Sequence, residues 1–300
     1  MNKPKDEPGL QTILSHCGRN LEASGGYVNV PPYEGSTILH DDMEDLFGRV
    51  DNHLYGDGTA QTYGTDGGPT HEAFYDAMNK LEGGAGTWAF STGLAGCTIP
   101  MMAFLKTGDH MLVTDSVYGP TRQFCEVLLK NFGVEAEFYE PTIGAGIEKL
   151  IRPNTRLIYM ESPGTHTFEM QDVPAIAAVA RKYNIVTMID NTYATPLNFQ
   201  PLKHGVDVVV HSATKYICGH SDVLMSTVTC NEKTWKQVRD VCKMTGQYAS
   251  AQSVYLGLRG LRTLKVRLDA VGVHTRKVVD WLLKREEVKK VIWPAYEKDP

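Results

Sequence analysis

Short apolar runs alternate with amphipathic segments through the middle of the chain. The runs have the length and β-branched character of buried strands, and they lie at Thr87–Phe90, His110–Thr114, Val134–Tyr139, Leu157–Glu161, Val186–Asp190 and Val208–Ser212. Patterns of helical period fall between several of them, at Ala95–Leu105, Thr121–Asn131, Ile147–Ile151 and Pro174–Tyr183. This alternation predicts an α/β fold, with a mostly parallel sheet covered by helices on both faces. Ligands of such sheets bind at the carboxyl ends of the strands.

The two ends of the chain have a different character. Residues 1–69 are rich in Gly, Asn, Asp and Pro, which favours an extended N-terminal arm that packs on other structure or on another subunit. A helix capped by Thr70 and ended by Gly83 is predicted to open a central domain over residues 70–255. A further strand is possible at Val223–Thr229. Helical patterns follow at Trp235–Met244 and at about residues 253–283, and then a strand-like run at Val288–Trp293. Residues 256–300 therefore look like the start of a C-terminal domain, cut short.

Composition narrows the class of protein. The 300 residues are 42% apolar and 22% charged, as in ordinary soluble globular proteins. The net charge of −5 argues against nucleic acid as the main partner. No apolar run approaches the ~20 residues that cross a bilayer, and the polar start of the chain argues against secretion. A cytoplasmic location is expected. The six scattered cysteines suit buried, reduced thiols better than a zinc site or a disulfide framework.

A lysine and an aspartate close neighbouring apolar runs. Asp190 ends the run Val186–Asp190, and Lys215 follows the run Val208–Ser212. Pyridoxal phosphate needs such a pair: an amine forms a Schiff base with its aldehyde, and a carboxylate keeps its ring nitrogen protonated. A surface lysine and a turn-capping aspartate remain the ordinary alternatives for each residue alone.

Other residues at strand ends suit a phosphate and a flat ring. Ser91-Thr92-Gly93 leads from a strand into a helix whose free N–H groups could hold a phosphate. The hydroxyls of Ser212 and Thr214 could point to the same side and bind the same group. Tyr118, after another strand, could stack on a cofactor ring. A plain strand–helix junction and a surface tyrosine are the alternatives. The histidines near Lys215, His211 and His220, lack metal-binding spacing and are expected to hold loops.

These motifs resemble those of the Cys/Met-metabolism family of pyridoxal phosphate enzymes. The resemblance runs from about residue 12 to the end of the chain. It is carried by Leu81-Glu82-Gly83-Gly84-Ala85-Gly86, by Met188-Ile189-Asp190-Asn191-Thr192, by Ser212-Ala213-Thr214-Lys215-Tyr216 with Gly219-His220-Ser221-Asp222, and by Arg259-Gly260-Leu261-Arg262-Thr263-Leu264. It implies the aspartate aminotransferase-like fold and pyridoxal 5'-phosphate as cofactor. The γ-synthases and γ-lyases of the family usually have an asparagine soon after Glu-Ser-Pro. This chain has Glu161-Ser162-Pro163-Gly164-Thr165-His166-Thr167, as the β-lyase branch does.

The resemblance also implies roles for individual residues. Lys215 would carry the cofactor in a Schiff base, Asp190 would pair with its ring nitrogen, and Tyr118 would stack on the ring. The phosphate would be held by a set of four residues and by a tyrosine from a partner subunit: Gly93, Leu94, Ser212, Thr214 and, across the dimer, Tyr63. The implied assembly is a homodimer or homotetramer, and the implied reaction is carbon–sulfur β-elimination of cystathionine in methionine biosynthesis.

Two departures from the family pattern keep other functions open. The usual phosphate-binding arginine after the arm tyrosine is replaced by Thr65, followed by Asp66. The arginine that binds the substrate carboxylate in the family's C-terminal domain has no counterpart in this sequence. A γ-lyase or γ-synthase of the same family is the nearest alternative activity. A module that binds the cofactor or a partner without turnover is the alternative from another class.

Overall fold

A seven-stranded sheet forms the centre of the molecule, which a computed structural model describes over residues 8–22, 24–56 and 60–296. The strands are β1 (Gly86–Phe90), β2 (His110–Thr114), β3 (Glu135–Tyr139), β4 (Thr155–Glu161), β5 (Val186–Asp190), β6 (Val208–His211) and β7 (Ser226–Cys230). Their order is β1-β7-β6-β5-β4-β2-β3, and β7 alone runs antiparallel to its neighbours β1 and β6. The six strands predicted between residues 87 and 212, the possible strand at Val223–Thr229 and the mostly parallel sheet are confirmed.

Helices cover both faces of this sheet. The α-helices are α1 (Leu10–His16), α2 (Met43–Tyr55), α3 (Pro69–Glu82), α4 (Gly93–Thr98), α5 (Gly119–Gln123), α6 (Val173–Lys182), α7 (Thr195–Asn198), α8 (Glu232–Met244), α9 (Ala251–Leu261) and α10 (Leu264–Leu282). Further 3-10 segments lie at Gly64–Asp66, Ile99–Ala103, Pro141–Leu150 (interrupted at Gly144) and Pro201–His204, and one π-helical turn lies at Phe124–Leu129.

Alternate strand residues divide between two cores. Met111 and Val113 of β2 point to the face covered by α4 and α8, whereas Leu112 between them points to the face covered by α6. At the β1 side of the sheet, α3 and α9 cover that second face. Both faces of the central strands are buried, which explains why the sequence shows continuous apolar runs in place of alternation. The partly buried β3 lies at the edge of the sheet.

The prediction that Thr70 caps α3 is wrong, whereas the prediction that Gly83 ends this helix is confirmed. The helix begins at Pro69 after Gly68, so that Thr70 lies inside its first turn. The Thr70 hydroxyl donates to the Pro31 carbonyl at 2.7 Å and accepts the Tyr33 N–H at 2.8 Å. Thr70 therefore fastens the N-terminal arm to the helix. Gly83 ends the helix in the left-handed conformation, with φ 74°.

The predictions for the two ends of the chain need correction. The arm contains two helices, α1 and α2, and no residue of α2 is buried. The long helical pattern at residues 253–283 is two helices, because the chain turns between Leu261 and Leu264. The predicted strand at Val288–Trp293 is wrong: those residues form no strand pairing and are partly or fully exposed. Part of the polar start, residues 1–7, lies outside the described residues.

Three further properties bear on the site. All six cysteines are free and buried, as predicted. Within residues 8–22, 24–56 and 60–296, no group of His, Cys, Asp and Glu has the arrangement of a metal site. Over the same residues, no helix has the length and apolar character that a bilayer crossing requires.

Candidate active site

Strands β5 and β6 end side by side and bring Asp190 close to the turn that carries Lys215. Asp190 pairs in register with Val210 of β6. Two bonds join the turns beyond these strands: Asn191 N–H donates to the Val210 carbonyl at 2.9 Å, and Ser212 N–H donates to the Thr192 hydroxyl at 2.7 Å. The structure therefore places the two sequence-predicted polar segments at one end of the sheet.

Asp190 is a buried carboxylate that meets neutral donors. Its exposure is 8%. Its Oδ1 accepts the Thr192 N–H at 2.9 Å, and its Oδ2 lies 3.5 Å from the Cys97 thiol. Within the described part of the chain, no ion pair of 4.0 Å or less includes Asp190. A buried carboxylate is costly without a cationic partner, so this site fits a positively charged ligand group such as a protonated ring nitrogen.

Three buried polar residues around Asp190, namely Cys97, Tyr159 and Glu161, were not assigned to the site from the sequence. Cys97 of α4 is buried, and its pKa is raised well above the ordinary value by burial and then by the charge of Asp190. The hydroxyl of Tyr159 on β4 is buried and has no hydrogen-bond partner in the described structure. Glu161 closes β4 and pairs in register with Asp190. The rule used for Asp190, that a carboxylate closing a buried strand needs partners, would have found Glu161 as well.

Lys215 is held by its backbone and exposed at its side chain. Its N–H donates to the Ser212 carbonyl at 3.0 Å, and its carbonyl accepts the Gly219 N–H at 2.8 Å. The turn is thus fixed on both sides of the lysine, while the side chain remains exposed to solvent. An exposed amine on a rigid turn can reach a ligand placed over the strand ends.

The start of α4 forms a concave surface against Ser212. The Thr92 hydroxyl caps the helix by accepting the Ala95 N–H at 3.2 Å, and the Ser226 hydroxyl donates to the Thr92 carbonyl at 2.7 Å. A Cβ at Gly93 would lie 2.5 Å from Ser212 Oγ, so that only glycine leaves this space open. The N–H groups of Gly93 and Leu94 belong to the first turn, where helical donors have no intrahelical partner. This arrangement suits a phosphate group.

Thr214, the second hydroxyl predicted to bind phosphate, is engaged within the chain. Its Oγ1 donates to the Met225 carbonyl at 3.1 Å and accepts the Met225 N–H at 3.0 Å. Both bonds tie the lysine turn to the segment before β7. Ser212 Oγ is therefore the better placed of the two hydroxyls for a ligand.

Tyr118 lies in a turn after β2 and is tied to β4 by its backbone. Its N–H donates to Glu161 Oε2 at 2.8 Å, and its side chain is 44% exposed. Burial and then the neighbouring Asp190 charge raise the pKa of Glu161 to about 8. The exposed ring is available to a flat ligand, and its position depends on this turn.

Tyr63 lies apart from these contacts, in the N-terminal arm. Its backbone bridges to Thr37, and its side chain is 50% exposed. Asp66 holds this turn, since Asp66 Oδ2 accepts the N–H groups of Thr62 at 2.8 Å and Tyr63 at 3.1 Å. Thr65 is exposed. Asp66 thus has a structural role in the arm.

Together these features describe an α/β protein in which an open helix start, an exposed amine, an exposed aromatic ring and a buried carboxylate lie at strand ends or in the turns that follow them. The family of Cys/Met metabolism PLP-dependent enzymes matches residues 11–300. The chain belongs to this family, and its cofactor is pyridoxal 5'-phosphate. The residues at the strand ends fit that cofactor, because Asp190 offers a buried anion and the start of α4 offers an open cradle.

Individual relatives agree with this assignment. The chain is 39% identical to the cystathionine beta-lyase of Haemophilus influenzae, over 97% of this chain and 73% of the relative. It is 38% identical to cystathionine beta-lyase MetC of Escherichia coli, over 95% of this chain and 72% of the relative. A crystal structure of metB from Corynebacterium glutamicum superposes with a TM-score of 0.90 at 31% identity, covering 98% of this chain and 74% of that one.

Proposed function

We propose that the protein catalyses β-elimination of L-cystathionine, and of related cysteine S-conjugates, to give homocysteine, pyruvate and ammonia. The observation that carries this proposal is the pairing of β5 with β6, which sets a buried Asp190 beside the rigid turn of an exposed Lys215. When bound, the cofactor supplies an electron sink for the charge that develops at the substrate Cα. The residues of this chain supply the proton transfers and the binding.

Each residue has a part that follows from its surroundings. The Lys215 amine would take the proton from the substrate Cα in its uncharged form, since only an unprotonated amine can accept a proton as a general base. The Asp190 carboxylate, oriented by Thr192 N–H, would keep the ring nitrogen protonated. The Tyr118 ring would pack on the cofactor ring, and Gly93, Leu94 and Ser212 would bind its phosphate.

The choice of β-elimination rests on the segment after β4 and on the relatives. Residues 161–167 contain no asparagine, and the Thr165 hydroxyl in this segment donates to Glu161. The γ-specific members of the family usually have an asparagine there. The proteins from H. influenzae and E. coli that resemble this chain are called cystathionine beta-lyases.

A γ-elimination remains the second candidate, because structural similarity extends to that branch. A crystal structure of cystathionine gamma-lyase from Lactobacillus plantarum superposes with a TM-score of 0.89 at 29% identity. The two reactions release different keto acids, pyruvate from β-elimination and 2-oxobutyrate from γ-elimination. A relative named L-alanine/L-glutamate racemase, from Wolbachia pipientis, is 36% identical over 97% of this chain. Racemisation would release no keto acid.

The direct test is product analysis with the wild-type protein and Lys215→Ala. We expect the wild type to release pyruvate and homocysteine from L-cystathionine, and K215A to release neither while keeping its fold by circular dichroism. Production of 2-oxobutyrate would move the protein to the γ-branch. Bound cofactor without any turnover would assign it to the non-catalytic class.

We further propose that the protein works as a homodimer or homotetramer in which Tyr63 binds the phosphate in the partner's site. The arm position and exposed ring of Tyr63 support this. Mixing inactive Tyr63→Phe and Lys215→Ala proteins tests it, since mixed dimers would contain one intact site. Activity that does not return after subunit exchange would refute the sharing of Tyr63.

A further inference from the structure

Glu161 is a buried carboxylate that the proposed chemistry leaves without a role. It is the last residue of β4, its exposure is 7%, and it pairs in register with Asp190. Two negatively charged carboxylates on neighbouring buried strands repel each other, so the second one needs hydrogen bonds that offset this repulsion. Burial and Asp190 raise the pKa of Glu161 to about 8, whereas bonds from Thr165 and Tyr118 lower it. The hydrogen bonds from Thr165 and Tyr118 are the ones that offset the repulsion.

Glu161 joins two loops through its two oxygens. Oε2 accepts the Tyr118 N–H at 2.8 Å, and Oε1 accepts the Thr165 hydroxyl. The loops also touch directly, because Thr165 N–H donates to the Ser116 carbonyl at 2.8 Å. The turn before Tyr118 and the segment after β4 therefore meet at this one side chain.

The end of β4 has separate anchors, so the carboxylate is not needed to hold the strand. Gln171 Nε2 donates to the Glu161 carbonyl at 2.8 Å, and Gln171 N–H donates to Ser162 Oγ at 3.0 Å. The Gln171 Oε1 accepts the Tyr139 hydroxyl at 2.8 Å. These bonds fix the backbone whatever the Glu161 side chain does.

Tyr118 depends on its backbone for its position. With its side chain 44% exposed, packing alone does not fix the ring. Its N–H is bonded to Glu161, and its carbonyl accepts the Arg122 N–H at 3.0 Å as α5 begins. The contact with Glu161 is thus the side-chain bond that holds the Tyr118 backbone next to the end of β4.

We propose that Glu161 is a positioning residue for the reaction: its carboxylate fixes the Tyr118 backbone so that the Tyr118 ring lies against the cofactor. This rests on the proposed function, in which Tyr118 covers the cofactor ring. Glutamine can accept the same N–H through its one oxygen and donate to the Thr165 hydroxyl. Alanine can do neither.

Amide hydrogen exchange of the cofactor-free protein tests the contact itself. In Glu161→Ala we expect exchange in the peptide containing Tyr118 to rise about tenfold, and in Glu161→Gln to stay within about twofold of wild type. Thr165→Val is the matched control, since it removes the other bond to Glu161 and leaves the Tyr118 bond. Unchanged protection in E161A would overturn the proposal. If E161A does not fold, Glu161→Asp takes its place, because the shorter side chain cannot reach both loops.

Cofactor affinity tests the consequence, through a double-mutant cycle with Tyr118→Ala. We expect E161A to weaken pyridoxal phosphate binding about tenfold in the wild-type background and less than twofold in the Y118A background. E161Q should bind the cofactor as the wild type does. Equal losses in both backgrounds would overturn the proposal, because Glu161 would then act without Tyr118. If Y118A alone binds the cofactor as wild type does, the stacking role in the proposed function fails, while hydrogen exchange still decides whether Glu161 holds the turn.

Discussion

Replacing Gly93 by alanine tests the phosphate cradle at its narrowest point. The added Cβ would lie 2.5 Å from Ser212 Oγ and 3.3 Å from Ser212 Cβ. Ordinary van der Waals contact begins at about 3.5 Å between heavy atoms, so the Ser212 hydroxyl must rotate away. The backbone of Gly93 is helical and tolerates alanine, and therefore the fold should survive the change.

The expected loss follows from what the rotated hydroxyl no longer does. A hydrogen bond to a charged group contributes about 1.5–3 kcal/mol, which corresponds to a loss of cofactor affinity of roughly tenfold to a hundredfold. The dissociation constant of pyridoxal phosphate, followed by absorbance titration of the cofactor-free protein, measures it. Gly272→Ala is the matched control: it lies in α10, and a Cβ there meets nothing within 4 Å.

A double-mutant cycle identifies the cause. If the clash acts by displacing the Ser212 hydroxyl, Ser212→Ala alone should weaken cofactor binding to a similar degree. Adding Gly93→Ala to that variant should then reduce the affinity little further. Wild-type affinity in G93A would refute the cradle. Fully additive losses in the double variant would refute the link between Gly93 and Ser212.

Three more predictions follow from buried groups near the site. Because folding raises the pKa of Glu161 from 4.5 to about 8, its contribution to stability is complete below pH 4.5 and is lost as the pH rises towards 8, by at most about 5 kcal/mol. The free energy of unfolding of the cofactor-free protein, measured with urea, should thus fall less between pH 5 and 8.5 in Glu161→Gln than in the wild type. An equal fall in both proteins would contradict this. Glu82 and His211 form a fully buried pair at 2.5 Å, so Glu82→Ala should lower the free energy of unfolding by about 3–5 kcal/mol; a change below about 1 kcal/mol in the same assay would contradict it. Thr214→Val removes two bonds to Met225 and should destabilise the fold by about 1–2 kcal/mol, with a smaller loss of cofactor affinity than Ser212→Ala; the reverse order would assign the phosphate to Thr214.

Much of the sheet could be predicted from the sequence because its strands are buried on both faces. A short continuous apolar run such as Val208–His211 is typical of a strand in a covered parallel sheet, and the polar residues that follow it mark the strand end. Since parallel strands end at the same edge, Asp190 and the Lys215 turn could be placed together from the sequence alone.

The errors arose where local pattern and tertiary contact disagree. Thr70 has the composition of a helix cap, yet its hydroxyl bonds to the arm at Pro31, which lies 39 residues away. Val288–Trp293 has apolar residues, but no neighbouring strand in the described chain pairs with them. Cys97 gave no signal of its own, because its importance comes from a contact with Asp190 that only the folded chain creates. Glu161 closes a buried apolar run as Asp190 does, but its bond to the Tyr118 N–H could not be read from the sequence.

Reductive trapping with borohydride tests the central claim most directly. The protein is saturated with pyridoxal phosphate, reduced, digested and analysed by mass spectrometry for the lysine that carries the cofactor. We predict a single stoichiometric modification at Lys215, absent from Lys215→Ala. Stoichiometric modification of a different lysine, or the same labelling in K215A, would contradict the account.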